Sequence, residues 1–318
     1  MLRIQRLANV FRGRVPARIP AHIPARVPVR VPAHIPARSF MTTKPSIGRP
    51  VEKVFKTRGG FPREEYWVDA KGIRVGPSLE WGDNGVLCRE GSYRDGERHG
   101  LWRWWYHHKR ESLEGSYVDG RKDGEWTMWD EQGNLMYRNH YSDDRLHGLC
   151  TEWYPSGEKA KEGTYVKGMQ DGIWTEWHGG KQWRVLEYKD DVVTKVISLI
   201  DDRGRETVLP DGEIEVWKAG KAPSGDNVYI KIRVPGDARR VSTLHQKSRV
   251  ERGVVVSIVG RGGTEYNEAN NFVYEDAYLR YVVGEPVKAD GFNSDPYQSC
   301  GRGIHVHPHR EQCDRWFA

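Results

Sequence analysis

Cysteine and histidine side chains cluster near the end of this chain, at Cys300, His305, His307, His309 and Cys313. Zn²⁺ accepts nitrogen and sulfur ligands. Alternate residues of a strand share a face, so His305 and His307 would project together. The cysteines do not form closely spaced pairs, however, and Pro308 interrupts the strand. A surface histidine cluster with small buried cysteines therefore explains the pattern better than a metal site.

Cys300 alone could serve a different chemistry, because it lies in a glycine-rich loop ahead of a predicted strand. A thiol becomes a nucleophile when a neighbouring base takes its proton, and His305 is the candidate base. The sequence marks no carboxylate that would orient this histidine. An enzyme built on Cys300 and His305 is kept as an alternative, with no reaction assigned to it.

Basic residues precede the apolar run that begins at Val254, and three of them, Arg240, Lys247 and Arg249, are candidate anion ligands. Charged N–H groups bind phosphate and carboxylate oxygens strongly. A solvated basic loop ahead of a strand is the simpler interpretation of the same residues, and we prefer it.

The element that must position most side chains is a repeat of twenty-four residues. Tryptophan keeps this step at Trp81, Trp105, Trp129, Trp153 and Trp177. Glycine keeps it at Gly76, Gly100, Gly124, Gly148 and Gly172. Tyrosine keeps it at Tyr93, Tyr117, Tyr141 and Tyr165, and then comes one residue early at Tyr188. A fixed period of this length is typical of repeat architectures.

Each unit is predicted to be a β-hairpin. Residues 115–118 start a strand, Asp119-Gly120 supplies a turn pair, and residues 124–129 return as the second strand. Aromatic strand residues between glycine turns favour a meander over helices. Trp126 and Trp129 are three apart, so a regular strand would aim them at opposite faces. Either a bulge redirects one of them, or both faces carry aromatic rings.

The pattern Gly-x-Tyr-x-x-Gly-x-x-x-Gly-x-Trp-x-x-Trp resembles the MORN repeat in its tryptophan-rich variant, over about residues 66–190. The first unit departs from it, with Asp69 in the tyrosine position and Ser78 in the first tryptophan position. The unit that ends at Trp153 has Asp144 for the turn glycine and Cys150 for the first tryptophan. The resemblance implies an elongated antiparallel ribbon for protein or lipid contacts, with no catalytic residues.

The aromatic residues of the repeats are the predicted binding residues, because tyrosine and tryptophan supply large, stiff contact areas. They are Trp102, Trp105, Trp126, Trp129, Trp153, Trp174, Trp177, Tyr117, Tyr141 and Tyr165. We also expect Trp129 and Trp153 to contribute to packing, with a loss of about 3–5 kcal/mol on truncation to alanine.

The charge of the chain is divided unevenly. The net charge is +6, but residues 1–51 hold ten Lys or Arg and no acid, so the remainder is net −4. We therefore expect no specific nucleic-acid binding by the folded body. No apolar run reaches the ~18 residues that a membrane span requires, and four scattered cysteines form no disulfide framework.

Residues 1–50 form a basic arm in which Pro recurs every fourth residue from Pro16 to Pro36. Such spacing excludes helix and sheet and favours an extended, polyproline-like chain. Three interpretations stay open: a mitochondrial presequence, a basic tether for nucleic acid or an anionic surface, and low-complexity sequence without a selected role. If the arm is not a presequence, we expect a cytoplasmic or virion-associated protein.

The last part of the chain has a different composition, with alternating apolar residues at 228–234 and a predicted final helix at 310–317. The stretches Glu215-Val216-Trp217-Lys218 and Cys300-Gly301-Arg302-Gly303-Ile304-His305 resemble a C-terminal domain of unknown function from large DNA viruses and phages. Ser248 stands where that family has a cysteine, and His307 where it has an aromatic residue. The resemblance implies no activity.

The sequence thus predicts a mainly β protein, in which a meander of hairpin repeats precedes a small α+β domain. The predicted domains are an arm at 1–50, a linker at 51–65, the repeat array at 66–204 and the C-terminal domain at 205–318. We expect a non-enzymatic protein-interaction module without a cofactor. The protein partner and the oligomeric state are open, and a peripheral lipid-surface binder is an alternative that the net acidic body does not favour.

Overall fold

The computed structural model describes residues 51–58, 61–271, 279–298 and 300–317. The predicted arm at residues 1–50 lies outside the described residues. Within these ranges, no helix has the length and apolar character that a membrane crossing requires.

One long antiparallel meander accounts for the first part of the described chain, where fifteen strands form a single sheet. The strands of the first half are β1 (Val51–Arg58), β2 (Phe61–Asp69), β3 (Arg74–Trp81), β4 (Leu87–Arg94), β5 (Glu97–Arg98), β6 (Gly100–Trp105), β7 (Glu111–Val118) and β8 (Arg121–Trp129). Those of the second half are β9 (Leu135–Ser142), β10 (Arg145–Trp153), β11 (Lys159–Val166), β12 (Met169–Gln170), β13 (Gly172–His178), β14 (Lys181–Lys189) and β15 (Val192–Leu199). Neighbours in sequence are neighbours in the sheet, except that the short β5 and β12 pair only with β4 and β11. The predicted meander is confirmed.

The turns inside the hairpins adopt left-handed backbone conformations at two successive residues. Asp119 has φ 48° and Gly120 has φ 80°, as the primed two-residue turns of hairpins require. Neighbouring turns are joined, since Gly120 N–H donates to the carbonyl of Arg98 at 2.8 Å. Asp144, which replaces the turn glycine, has φ 64° and accepts the Lys122 N–H on its carboxylate at 2.7 Å. An aspartate can therefore fill this position because it gains a bond between turns.

The tryptophan of the twenty-four-residue step coincides with an irregularity in strand pairing. In β8 the register against β9 shifts between Met128 and Trp129. Equivalent shifts lie at Trp81, Trp105, Trp153 and Trp177. The alternation of side chains between the two faces is therefore broken between Trp126 and Trp129. Of the two alternatives that the sequence left open, the structure shows the bulge.

The predicted linker at residues 51–65 is wrong, because this segment forms β1 and part of β2. Lys53 forms an ion pair with Glu65 across the two strands at 2.6 Å, and Lys56 does so with Glu64 at 3.2 Å. The segment lacks the repeat's tryptophan, and its glycine pair, Gly59-Gly60, is out of phase with the turn glycines of the repeat. Its strands therefore carry no periodic mark in the sequence.

Two smaller sheets and a short helix make up the rest of the described chain. The larger sheet has the order β21-β20-β17-β16-β22-β23, with β24 on β20, and the smaller has the order β18-β19-β25. The strands are β16 (Ile214–Lys221), β17 (Asn227–Val234), β18 (Arg240–Ser242), β19 (Ser248–Val250), β20 (Arg252–Gly260), β21 (Glu265–Tyr266), β22 (Glu268–Asn271), β23 (Arg280–Val282), β24 (Pro286–Lys288) and β25 (Ile304–Val306). A 3-10 helix occupies Arg310–Trp316, where a final helix was predicted, and supplies the helical part of this region.

The core of this region follows the predicted alternation. Val228, Ile230, Ile232 and Val234 of β17 are fully buried in one apolar cluster. At about 25 cal/mol per Å² of apolar surface, burial of each such side chain stabilises the fold by about 1.5–3 kcal/mol.

The last hairpin of the long sheet is bonded to the C-terminal region. Val193 N–H on β15 donates to the Tyr297 hydroxyl at 2.7 Å, and the Thr207 hydroxyl donates to the carbonyl of Leu199 on β15 at 2.7 Å. The side chain of Leu244 packs against the apolar residues of β14 and β15. The predicted boundary at 204–205 therefore lies within a set of mutual contacts.

Candidate binding surface on the aromatic face

One row of residues crosses the sheet perpendicular to the strands. Trp102 pairs with Gly115, Gly115 pairs with Trp126, and Trp126 pairs with Asn139 on successive strands. Directly opposed residues of antiparallel strands share a face of the sheet. We call the side that carries Trp102, Trp126 and Trp174 the aromatic face.

Each indole of this row lies flat against the glycine of the preceding strand. A Cβ placed on Gly91, Gly115 or Gly163 would approach within 2.1–2.2 Å of the ring of Trp102, Trp126 or Trp174, respectively. Each indole N–H also donates to a carbonyl of that same strand, at 3.1–3.2 Å. The three rings are 1–3% exposed. The Gly-x-Tyr part of the repeat thus makes room for the first tryptophan of the next strand.

The unit that ends at Trp153 changes both members of this pairing at once. Asn139 replaces the glycine, and Cys150 on the neighbouring strand replaces the tryptophan. The Cys150 thiol is 3% exposed, and burial raises its pKa. The Asn139 side chain is therefore accommodated because Cys150 on the next strand is smaller than tryptophan.

The predicted binding residues divide into two sets. Trp102, Trp126, Trp174 and Tyr117 are buried, so they pack within the sheet and offer little surface to a partner. Half-buried residues make up the second set, namely Trp105, Trp129, Trp153, Trp177, Tyr141 and Tyr165. A binding role of the first set is therefore corrected to a packing role, whereas the second set keeps its predicted role as a hypothesis. Trp104, which the prediction omitted, is half-buried on the aromatic face, with its ring centroid 5.6 Å from that of Trp126.

A row of cations lies above the rings. Arg74, Arg98 and Lys122 are twenty-four residues apart, and Leu146 and Gln170 continue the same step with neutral side chains. Each is the first or second residue of the strand that follows the hairpin turn. We call Arg74, Arg98 and Lys122 the cation row.

Each member of the cation row stacks on aromatic rings. The Arg74 guanidinium lies 4.0 Å from the ring centroid of Tyr66. The Arg98 guanidinium lies 4.8 Å from that of Trp102, and the Lys122 ammonium 4.4 Å from that of Trp126. Such cation–π contacts are worth about 0.5–2 kcal/mol, depending on desolvation.

The charges of this row are only partly compensated. Arg74 forms an ion pair with Glu64 at 3.1 Å, and Arg98 donates to the Tyr117 hydroxyl at 3.1 Å. Among the described residues, no carboxylate lies within ion-pair distance of Arg98 or Lys122. Burial lowers the pKa of Lys122. The aromatic face therefore holds two partly desolvated cations that an acidic group from outside could pair with.

Acidic side chains border the cation row at the turns, where Asp119 pairs with Arg94 and Asp143 pairs with Arg121. The opposite face of the sheet differs in character. Its exposed apolar side chains include Leu149 and Ile173, at 51% and 59% exposure. Arg103 on that face is surrounded by three carboxylates, and burial raises the pKa of one of them, Glu111, to about 7.

The C-terminal histidine and cysteine candidates are dispersed. In the part of the chain that the structure describes, no group of three His, Cys, Asp or Glu side chains could hold a metal ion. His307 accepts a hydrogen bond from the Trp316 indole at 3.1 Å, and burial lowers its pKa to about 4. Cys313 is fully buried, and burial raises the pKa of its thiol to about 12. His309 precedes the 3-10 helix, and its N–H donates to the Gln312 side chain at 3.2 Å. The metal interpretation finds no support in these contacts.

Cys300 is exposed, and the Lys247 ammonium lies 3.7 Å from its sulfur. His305 lies on β25, opposite Arg249 of β19. A catalytic pair of Cys300 and His305 thus stays a prediction.

The predicted anion ligands are used inside the protein. Arg249 is completely buried and donates to the carbonyls of Asn293 and Asp295 at 3.1 and 2.9 Å, and to that of Gln298. Arg240 donates to the carbonyls of Pro210 and Pro235. Lys247 stacks on Trp316 at 4.5 Å. The prediction of an anion site made of these three residues is therefore wrong, because the guanidinium groups of Arg240 and Arg249 bind backbone carbonyls of loops.

Sequence reasoning missed two features that the sequence does contain. The glycine and the indole of one contact are always eleven residues apart, as in Gly115 and Trp126. The cation row has the same period as the tryptophans, but it spans only three units. A search for basic residues on the twenty-four-residue step would have found it.

Comparison with known families supports both resemblances. Residues 122–143 and 146–167 match the profile of the MORN repeat variant. Residues 206–313 match a family described as "Family of unknown function (DUF5758)". No curated protein sequence matches the chain. The chain thus carries MORN-type repeats, which indicate an interaction module, and after them a region that matches a family of unknown function.

Proposed function

We propose that this protein is a non-enzymatic protein-interaction module, and that the aromatic face of its long sheet is the binding surface. The observation that carries the proposal is the pair Arg98 and Lys122, two half-buried cations that lie on aromatic rings and form no ion pair with a carboxylate among the described residues. Half-buried Trp104 and Tyr141 lie on the same face and add rigid contact area. A repeat protein uses its fixed positions for packing and leaves such outer positions for recognition.

Two alternatives deserve a test beside this proposal. An enzyme in the C-terminal region would use Cys300 and His305, whereas His307 and Cys313, whose pKa values burial shifts in opposite directions, are buried in packing contacts. A peripheral membrane binder is favoured by the cation row, which supplies a basic surface despite the net acidic body. The aspartates of the bordering turns oppose it, because a flat anionic surface would meet them as well.

The experiment compares capture of proteins by the full-length chain and by two matched variants. Trp104→Glu changes the aromatic face and copies Glu152, which stands two units later in the same position of the repeat. Leu149→Glu changes the opposite face and copies Glu125 in the same way. Both substitutions introduce a residue that the repeat already accommodates, so we expect both variants to fold.

We expect a specific protein to be captured by the wild type and by Leu149→Glu, and to be lost with Trp104→Glu. Equal capture by both variants would contradict the assignment of the aromatic face. Capture of vesicles without any protein would favour the membrane alternative. Hydrolase or transferase activity that Cys300→Ser abolishes would place the function in the C-terminal region.

A further inference from the structure

The charge and spacing of the cation row indicate which class of partner binds to the aromatic face. We propose that it binds an acidic polypeptide segment in the polyproline II conformation, with a carboxylate at every third residue seated on Arg74, Arg98 and Lys122. This inference rests on the proposed function, since it uses the same face, and it names the class of partner.

The spacing of the row is set by the sheet. Arg98 and Lys122 are one hairpin apart, which corresponds to two strand spacings of about 4.8 Å each, so they lie about 10 Å apart. The bond from Gly120 N–H to the carbonyl of Arg98 fixes one turn against the next. Arg74 continues the row by the same step, through the bond from Gly96 N–H to its carbonyl at 2.9 Å.

The polyproline II helix has three residues per turn and rises about 3.1 Å per residue, so every third side chain recurs on one side after about 9.3 Å. This step matches the row. A β-strand places residues three apart on opposite faces, and its same-face steps of about 7 and 13 Å do not match. Polyproline II segments also dock on surfaces lined with aromatic rings, and here the rings of Trp104 and Tyr141 are half-buried on the face of the row.

The positive charges of the cation row favour an anionic partner. Lys122 carries its charge above the rings of Trp126 and Tyr141, at 4.4 and 4.8 Å, where burial lowers its pKa. The Asp144 carboxylate lies near this residue and accepts its backbone N–H at 2.7 Å, but the ammonium forms no ion pair among the described residues. A carboxylate from a partner beside the ammonium would offset its desolvation. A narrow segment meets fewer of the bordering aspartates, Asp119, Asp143 and Asp144, than a planar anionic membrane does.

The test measures binding of the full-length chain to labelled synthetic peptides by fluorescence anisotropy. The probe consists of Asp-Pro-Pro units, and the controls are Gln-Pro-Pro and Lys-Pro-Pro peptides of equal length, together with an Asp-Pro peptide of equal charge and different spacing. We expect the Asp-Pro-Pro peptide to bind best, and its affinity to fall with added salt.

Two sets of variants test the row itself. Arg98→Gln combined with Lys122→Gln removes two cations, and glutamine is the natural residue at the equivalent position Gln170. We expect the double variant to bind the Asp-Pro-Pro peptide about tenfold more weakly, as two partly exposed ion pairs imply. Leu146→Lys adds a fourth cation and should tighten binding of a four-unit peptide about threefold. Circular dichroism of each variant checks the fold.

The inference is overturned if the Asp-Pro spacing binds as well as the Asp-Pro-Pro spacing, or if the double variant binds the probe like the wild type. It is also overturned if phosphatidylserine vesicles bind through Arg98 and Lys122 while the peptides do not. Loss of protein capture with Trp104→Glu, together with full capture by the double variant, would preserve the proposed function and reject this inference alone.

Discussion

The indole of Trp126 lies against Gly115, and a Cβ atom on that glycine would stand 2.1 Å from the ring. No side chain fits there unless the ring moves, and the ring is 1% exposed and packed on all sides. The two residues belong to adjacent strands and therefore form one packing unit across the sheet. The sizes of the two residues are coupled. The pair Asn139 and Cys150 shows the same coupling, because a larger residue replaces the glycine and a smaller one replaces the tryptophan.

This coupling predicts a non-additive effect of two substitutions. Gly115→Asn should destabilise the protein by about 3 kcal/mol, because the new side chain overlaps the Trp126 ring. Trp126→Cys alone should cost about 3–5 kcal/mol. The double variant copies Asn139 and Cys150 and should lose at least about 1 kcal/mol less than the sum. Urea unfolding measures all three free energies.

The control for this cycle is Gly262→Asn, because a Cβ on Gly262 meets nothing within 4 Å. That variant should lie within about 0.5 kcal/mol of the wild type. If the losses at Gly115 and Trp126 simply added, the contact between them would not be the reason for the glycine.

A second prediction ranks the two tryptophans of one unit. Trp126→Ala should cost about 3–5 kcal/mol, since the whole ring is buried. Trp129→Ala should cost clearly less, about 1–2 kcal/mol, because Trp129 is half-buried at a bulge. Thermal or urea unfolding of both variants gives the order. A larger loss at Trp129 would restore the packing role that the sequence assigned to it.

A third prediction concerns acid stability through His307. Its folded pKa is about 4 and its unfolded pKa about 6.5, so between these values the unfolded state binds a proton that the folded state does not. Its contribution is present above pH 6.5 and is lost as the pH falls to about 4, by about 3 kcal/mol in total. The measurement is the unfolding free energy at several pH values from about 4 to 7.5.

The matched variant for this titration is His307→Gln, which cannot take up the proton. The difference between wild type and variant isolates His307 from other titrating groups, among them Glu111, whose raised pKa acts in the opposite direction. Parallel pH profiles for the two proteins would show that His307 does not contribute.

A fourth prediction concerns Lys218, which is 7% exposed and has no carboxylate partner among the described residues. Burial lowers its pKa to about 8, against 10.5 in the unfolded chain. The cost of burying the charge is therefore full below pH 8 and disappears above about pH 10.5. Lys218→Met should stabilise the protein by about 2–3 kcal/mol near pH 7 and have little effect near pH 10.5.

Lys195→Met on an exposed position of β15 is the control for Lys218, and should change stability by less than about 0.5 kcal/mol at either pH. A loss of stability in Lys218→Met at neutral pH would mean that the ammonium is held by a favourable contact, such as the ring of Tyr281 at 5.9 Å.

The period of twenty-four residues was enough to predict the hairpins, because strand and turn preferences act locally and recur in each unit. Asp119-Gly120 was assigned to a turn for this reason, and its φ angles agree. Which face each ring occupies depends on register, and the bulge at Trp129 changes it without any local mark. The strands at residues 51–65 were missed because only the pairing of β1 with β2, and of β2 with β3, reveals them.

The candidate site was predictable in part. The aromatic residues were predicted to form the binding surface, but full burial of Trp102 and half-burial of Trp104 depend on contacts between strands. Arg249 looked like an anion ligand because basic residues surround it in sequence. Its true partners, the carbonyls of residues 293–298, lie more than forty residues away and carry no signature of their own.

The bonds between successive turns also bear on how such a chain can change its length. Each hairpin contacts mainly the hairpins before and after it, through the same bonds at Gly120, Asp144 and Gly168. A duplicated unit could therefore enter the middle of the array, lengthen the sheet by about 10 Å and leave both ends as they are. If the duplicated unit carried Arg98 or Lys122, the acidic segment could be longer by one contact. The length of the sheet and its affinity for the acidic segment would then increase together with each added hairpin.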